Sequence, residues 1–152
     1  MLPVPVKYTL VAAGAEAEKP LTAFDKALLA SGVGNLNLLK VSSILPPRAV
    51  RTDKLDIPPG SLTPVAYGAI TSKTQGDLIS AAVAVGVSRD TYGVIMEFSG
   101  HCCKEEAEQA VREMVVEAFA TRNLELVELL SAAADQRVEK VGSAFAGVVL
   151  WW

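Results

Sequence analysis

The spacing of apolar and polar residues predicts an alternation of strands with two helices. Helical spacing is found over residues 22–31, which Gly32 ends, and over residues 104–122, whose first turn is rich in glutamates that favour the helix dipole. Strand patterns cover residues 6–13, 36–42, 62–71 (one strand or a pair), 93–99 and the apolar 142–152. Two helices with several strands indicate an α/β or α+β sandwich.

Two segments fit both a helix and a strand. Residues 78–87 are apolar throughout, so they fit a buried strand or a buried helix, and residues 124–138 also fit both patterns. Residues 46–64 contain five prolines and read as a long surface loop inside one domain, since loops of this length are usually functional or mobile.

Composition indicates one domain, residues 1–152, with 51% apolar and 20% charged residues. The net charge is −3 and basic residues do not cluster, so neither nucleic acid nor an anionic membrane is an expected partner. The longest apolar stretches fall well short of the roughly 18 residues that span a bilayer. Pro3 and Pro5 interrupt the N-terminal segment, so we expect no signal peptide. The two adjacent cysteines, Cys102 and Cys103, rarely form a disulfide, so we expect a protein of the reduced cytoplasm.

Three adjacent residues, His101, Cys102 and Cys103, suggest a metal or thiol site. A structural zinc needs four ligands, and no further cysteine or histidine exists in the chain. The alternative is a helix start whose cysteines pack as small apolar residues, which we favour. We therefore expect no metal. A hydrolase that uses Cys102 and His101 is disfavoured because residues so close at a helix start rarely converge on one substrate atom.

The most informative stretch is a pair of serines, Ser42 and Ser43, that ends a predicted strand and precedes two prolines. A serine pair at a strand end usually bonds nearby backbone amides. One reaction does require this arrangement. A serine hydroxyl attacks the carbonyl of the preceding residue, the amide becomes an ester, β-elimination breaks the chain, and the serine remnant hydrolyses to a pyruvoyl group.

This stretch resembles the self-cleavage segment of pyruvoyl-dependent arginine decarboxylases. The matching residues are Gly34-Asn35-Leu36-Asn37 and Val41-Ser42-Ser43-Ile44-Leu45-Pro46-Pro47. Residues 20–29, 66–68, 93–98, 105–108, 138–142 and 144–146 also resemble that family in order and spacing. The resemblance implies a four-layer αββα sandwich that assembles as a homotrimer, with active sites between protomers. It also implies that residues 78–87 and much of 126–138 are strands.

The resemblance also implies the chemistry. The chain would cut itself between Ser42 and Ser43 into residues 1–42 (the β chain) and residues 43–152 (the α chain), and Ser43 would become the pyruvoyl group. This covalent cofactor would form a Schiff base with L-arginine and serve as the electron sink, without metal or pyridoxal phosphate, to give agmatine and CO2. The alternative is an unprocessed trimeric paralogue that binds a small molecule and has no decarboxylase activity.

Three polar residues match functional positions of the family. Glu97 matches the proton donor, and the resemblance implies that it acts across the trimer interface; the alternative is a charge at a solvated sheet edge. Asn37 matches a residue whose amide could donate to the oxyanion formed when Ser43 attacks; the alternative is an asparagine at a strand start.

Asp25 matches the carboxylate that holds the arginine guanidinium through two parallel hydrogen bonds. The alternative is structural, because with Thr22 as N-cap Asp25 would take the third position of a capping box. The positions that match substrate-lining residues are Leu28, Gly34 and Leu36, with Ile95 contributed by the neighbouring protomer.

Overall fold

The computed structural model describes residues 1–152 and contains two helices and nine strands. The helices are α1 (Pro20–Ala30) and α2 (Lys104–Thr121). The strands are β1 (Lys7–Ala17), β2 (Asn37–Lys40), β3 (Ile44–Leu45), β4 (Val50–Arg51), β5 (Leu62–Ser72), β6 (Leu78–Val87), β7 (Gly93–Gly100), β8 (Glu128–Arg137) and β9 (Val141–Trp151).

The strands form two sheets that pack face to face. The five-stranded sheet has the order β2-β5-β9-β1-β4 and the four-stranded sheet has the order β3-β7-β6-β8. Helix α1 covers the outer face of the first sheet and α2 that of the second. The predicted four-layer αββα sandwich is therefore confirmed. Neither helix is both long enough and apolar enough to cross a lipid bilayer.

Each of the three boundaries between layers has its own apolar core. The core between the two sheets is built around Val83, Ile95 and Val148. Val111 and Phe119 of α2 pack on the four-stranded sheet, and Ala27 of α1 packs on Val65 and Phe145 of the five-stranded sheet. Burying such side chains is the main force that holds the layers together.

The two segments that the pattern left open are both strands. Residues 78–87 form β6, which lies between β7 and β8 and is covered on one face by α2 and on the other by the five-stranded sheet. A strand buried on both faces is apolar throughout and shows no alternation. Residues 124–138 contain β8, and residues 62–71 form the single strand β5.

Helix α1 begins earlier than the capping pattern predicted. Lys19 is the N-cap and Pro20 is the first helical residue, a position that suits proline because its missing N–H has no helical acceptor there. Thr22 lies inside the first turn, where its hydroxyl donates to the carbonyl of Lys19 at 3.1 Å. Asp25 therefore lies in the second turn, and its predicted alternative place in a capping box is wrong.

Glu16, near the end of β1, stabilises the turn between β8 and β9. Its carboxylate accepts hydrogen bonds from the backbone N–H groups of Glu139 at 3.0 Å and Lys140 at 3.1 Å. Burial raises the pKa of this carboxyl, but the N–H groups of Lys140 and Glu139 and the amide of Gln136 outweigh it, so the pKa lies below the usual 4.5.

We expect Glu16→Gln to lower the free energy of unfolding by about 1 kcal/mol at pH 7, because the carboxamide nitrogen cannot accept a hydrogen bond and the site is solvent-screened. Since the pKa is lower in the folded state, this contribution is present above pH 4.5 and is lost as the pH falls through the folded pKa. Denaturant titrations of both chains at pH 7 and pH 3 test this. A difference that stays constant with pH would show that the charge of Glu16 is irrelevant.

Candidate active site

The two serines lie where the chain crosses from one sheet to the other. Strand β2 belongs to the five-stranded sheet, and β3, which follows Ser43, belongs to the four-stranded sheet. Before the crossing, the N–H of Val41 donates to the carbonyl of Val65 at 3.1 Å. After it, the carbonyl of Ser43 accepts from the N–H of Ile95 at 2.7 Å. The peptide bond between Ser42 and Ser43 is therefore held from both sides.

Neither serine hydroxyl forms a hydrogen bond with another part of the chain. Ser42 is exposed and Ser43 is half-buried. Serine hydroxyls at a strand end usually form hydrogen bonds with nearby backbone amides, but these two hydroxyls do not. Both hydroxyls remain free to react.

A cavity of about 390 Å³ opens beside the serines, and we call it the serine cavity. It is lined by Lys40, Val41, Ser42, Ser43, Ile95, Met96 and Glu97. Strand alternation in β7 puts Glu97 on the same side as Ile95, which faces the other sheet, whereas Met96 packs towards α2. The predicted proton donor and the predicted cleavage site thus share one cavity of one chain.

The pairing of β3 with β7 explains why Glu97 lies so close to Ser43. Ile44, the residue after Ser43, lies opposite Val94 in antiparallel register. Glu97 follows three residues later on the same strand. One chain by itself therefore already brings Glu97 into the cavity of its own Ser43. The supply of the proton donor across a protomer interface, which the resemblance implies, stays a prediction.

Lys40 is a member of the serine cavity that the sequence analysis missed. Its Nζ lies 3.3 Å from Oε1 of Glu97 and 4.7 Å from the centroid of the Tyr67 ring. The side chains of Lys40 and Glu97 are 54% and 36% exposed. The sequence did contain a signal for Lys40, because residues two apart in an extended chain, such as Lys40 and Ser42, point to the same side.

Gly68 permits the close contact between the sheets at this point. A Cβ at Gly68 would lie 2.9 Å from the carbonyl oxygen of Phe98, which is closer than side-chain carbons come to backbone oxygens. Glycine therefore lets β5 approach β7, with Tyr67 on one strand and Glu97 on the other.

The other predicted site residues lie along α1, the turn that follows it and the start of β2. We call this set the Asp25 group; its members are Asp25 and Leu28 on α1, Gly34 and Leu36 in the following turn, and Asn37 at the start of β2. None of them lines the serine cavity. The carboxylate of Asp25 is exposed and has neither an ion pair nor a hydrogen bond within the chain, so it is free to bind a cation.

Asn37 does not reach the serines of its own chain. Its side-chain amide donates to the carbonyl of Gly60 at 2.9 Å. Asn37 lies six positions before Ser43, and this part of the chain begins with the extended strand β2, so it spans up to about 20 Å. Within one chain, the serine cavity and the Asp25 group are two separate sets of residues.

The residues at the start of α2 have structural contacts. Cys103 is the N-cap residue, and Cys102 packs against the core beneath α2 with its sulfur 3.2 Å from the Ser80 hydroxyl. The backbone N–H of Glu106 lowers the pKa of the Cys103 thiol, but desolvation and the nearby carboxylates of Glu105 and Glu106 outweigh it and raise that pKa. This favours the helix start over a reactive thiol. The structure has no cluster of three or more His, Cys, Asp or Glu side chains that could hold a metal ion.

Comparison with protein families matches residues 7–150 to the family described as pyruvoyl-dependent arginine decarboxylase (PvlArgDC). The chain belongs to this family. The match covers both the serine cavity and the Asp25 group, so both sets of residues lie within the part shared with pyruvoyl-dependent arginine decarboxylases.

Curated relatives agree with this membership. A protein named pyruvoyl-dependent arginine decarboxylase from Methanocaldococcus jannaschii is 46% identical over 98% of this chain and 92% of its own length. Proteins of the same name from Methanococcus vannielii and Pyrococcus abyssi are 45% and 44% identical over 97% of this chain, and 92% and 96% of their own lengths are covered. The similarity therefore extends over nearly the whole chain rather than a single motif.

Proposed function

We propose that this chain cuts itself between Ser42 and Ser43 and then converts L-arginine to agmatine and CO2. The observation that carries the proposal is the serine cavity, where Ser43 has a free hydroxyl and shares the cavity with the carboxyl group of Glu97. The names of the relatives supply the substrate and the pyruvoyl cofactor. Metal and pyridoxal phosphate have no role in this proposal, and the reaction takes place in the cytoplasm.

The residues of the serine cavity fit a pyruvoyl group made from Ser43. The group supplies the electron sink that decarboxylation needs. The N–H of Ile95 already holds the Ser43 carbonyl at 2.7 Å and would fix this end of the residue after cleavage. Glu97 delivers a proton to the carbon that has lost CO2, and the apolar side chains of Val41 and Ile95 limit the entry of water.

In this proposal the active site is completed by a second protomer of a homotrimer. The Asp25 group, which lies apart from the serine cavity in one chain, faces the serine cavity of the neighbouring protomer. Two features support this arrangement. Strands β2 and β3, which flank the serines, are edge strands of their sheets. Leu39 and Ile44 on these strands are 44% and 45% exposed, and Leu62, at the start of the adjacent strand β5, is 63% exposed, as expected for apolar residues that another subunit covers.

The direct test is to incubate the purified chain with arginine and to measure agmatine, CO2 and the masses of the polypeptides. We expect two chains, residues 1–42 and 43–152, and one agmatine per CO2. A single chain of 16.0 kDa that binds arginine and releases no CO2 would instead indicate the unprocessed binding paralogue. The comparisons give that alternative no support.

If Asp25 holds the guanidinium, Asp25→Asn should weaken arginine binding by roughly 2–5 kcal/mol, about 30- to 5,000-fold, because one partner of a desolvated charge pair is lost. Self-cleavage and thermal stability should be unchanged, since Asp25 makes no contact that stabilises α1. Steady-state kinetics with arginine measure the effect. Asp90→Asn, at another exposed aspartate, is the matched control. An unchanged KM would exclude Asp25 from the substrate site.

Mixed trimers test where Asp25 acts. Combining Asp25→Asn chains with Ser43→Ala chains should restore about a quarter of the sites in randomly mixed trimers, because an interface can then join an intact serine cavity to an intact Asp25. Combining Glu97→Gln with Ser43→Ala chains should restore none, since both residues belong to one cavity. Rescue in the second mixture but not in the first would contradict the proposed division of the site.

A further inference from the structure

We propose that Lys40 is the residue that positions Glu97 for proton delivery. This inference rests on the proposed role of Glu97 as proton donor. Lys40 is the only cationic side chain that lines the serine cavity, and its ammonium nitrogen lies 3.3 Å from Oε1 of Glu97. No side chain contacts Oε2 closely enough for a hydrogen bond or ion pair. The proton to be delivered is therefore carried on Oε2, while the Lys40 ammonium donates a hydrogen bond to Oε1.

Two features besides Glu97 restrain the Lys40 side chain, the strand that carries it and an aromatic ring. The backbone of Lys40 is the last of β2 and lies opposite Val65 in parallel register. The Tyr67 ring lies 4.7 Å below the nitrogen, a distance at which a cation is attracted to the ring face. Tyr67 is itself packed against Phe145, with ring centroids 5.3 Å apart. Lys40 is thus held by rigid strands rather than by a loop.

Glu97 needs such a partner because its own surroundings restrain it weakly. Its side chain is 36% exposed, and the ion pair with Lys40 is its one polar contact. An isolated exposed ion pair contributes little to stability. A group that must deliver a proton, however, has to be held close to its productive geometry, and a misplacement of about 1 Å can cost about 100-fold in rate.

The pair also joins the two pieces of the processed chain. Lys40 belongs to residues 1–42 and Glu97 to residues 43–152, so the ion pair bridges the cut across the serine cavity. After cleavage, β2 remains paired with β5 and β3 with β7, so both partners keep their places.

The test compares Lys40→Met with Lys40→Arg. We expect Lys40→Met to be cleaved normally, to keep its KM for arginine, and to lose about 10- to 100-fold in kcat. Lys40→Arg, which keeps a cation able to pair with the carboxylate, should recover most of that loss. Lys140→Met is the matched control, because Lys140 also forms an exposed ion pair, with Glu18, far from the serines. It should behave as the unmodified chain.

A double-mutant cycle separates positioning from other roles. If Lys40 acts through Glu97, Lys40→Met should have almost no further effect on the residual turnover of Glu97→Gln. An equal loss in both backgrounds would overturn the proposal. So would a raised KM with unchanged kcat, which would mean that Lys40 binds the substrate carboxylate, or an uncut Lys40→Met chain. If Glu97→Gln alone leaves turnover unchanged, the proposed role of Glu97 fails instead.

Discussion

Replacing Ser43 by alanine is expected to leave one uncut chain of 16.0 kDa without decarboxylase activity. The hydroxyl proposed to attack the carbonyl of Ser42 is absent in this variant, so neither the ester nor the pyruvoyl group can form. The fold should persist, because the Ser43 hydroxyl has no hydrogen bond within the chain and the bond from Ile95 involves the backbone. A denaturing gel, the intact mass and thermal unfolding measure these three outcomes.

Ser42→Ala is the matched control for this variant. It removes the neighbouring hydroxyl, which is also unbonded, and leaves the proposed attacking group in place. We expect this chain to be cut after residue 42 and to be active. Cleavage at the same bond in Ser43→Ala would contradict the proposed acyl shift, and cleavage of Ser43→Ala but not of Ser42→Ala would assign the attack to the other serine.

The pattern of apolar and polar residues predicted both helices and most strands. It did not distinguish a helix from a strand where an element is buried on both faces. In β6, residues 79–86 are all buried, so neither a period of two nor one of 3.6 can appear. Strand β9 is similar, with residues 141–150 buried, and the apolar run 142–152 was predicted as a strand. The choice for β6 came from the family resemblance, and its place between β7 and β8 confirms it.

The short elements that build the site are the least visible in the sequence. Strand β3 has only two residues, too few for any periodicity, yet its pairing with β7 brings Ser43 next to Glu97. Because β3 is too short to show a pattern, the sequence indicated Ser43 and Glu97 as site residues but did not show that they lie in one cavity. Thr22 was preferred as an N-cap because of its side chain, whereas Pro20 sets the helix start through its backbone.

The resemblance implied that active sites lie between protomers, but the residues alone did not show which predicted site residues share a cavity within one chain. Asp25, Asn37 and Ser43 all belong to residues 25–43, but β2 carries the chain away from α1 before the serines are reached. Residues close in sequence can therefore serve different active sites of a symmetric assembly. This is why the mixed-trimer experiment carries more information about the site than any single substitution.

Glu97→Gln is expected to lower kcat by about 10²- to 10⁴-fold, the range typical of a positioned acid–base group. Glutamine keeps the size and polarity of the side chain but has no acidic proton to deliver. Self-cleavage should go to completion, because Ser43 and its contact with Ile95 are unchanged. Arginine affinity, measured by equilibrium dialysis, should stay close to that of the unmodified chain, since the charge proposed to hold the guanidinium is on Asp25.

Glu125→Gln provides the control for the loss of an exposed ion pair. Glu125 lies 3.3 Å from Arg89, the same distance that separates Glu97 from Lys40, but it is far from the serine cavity. Its substitution should leave kcat unchanged. A large loss of kcat in Glu97→Gln alone would then show that Glu97 takes part in the reaction, because the loss of an exposed ion pair by itself has no such effect. Equal and small effects of the two variants would mean that the proton comes from another group, and the serine cavity would then need a different acid.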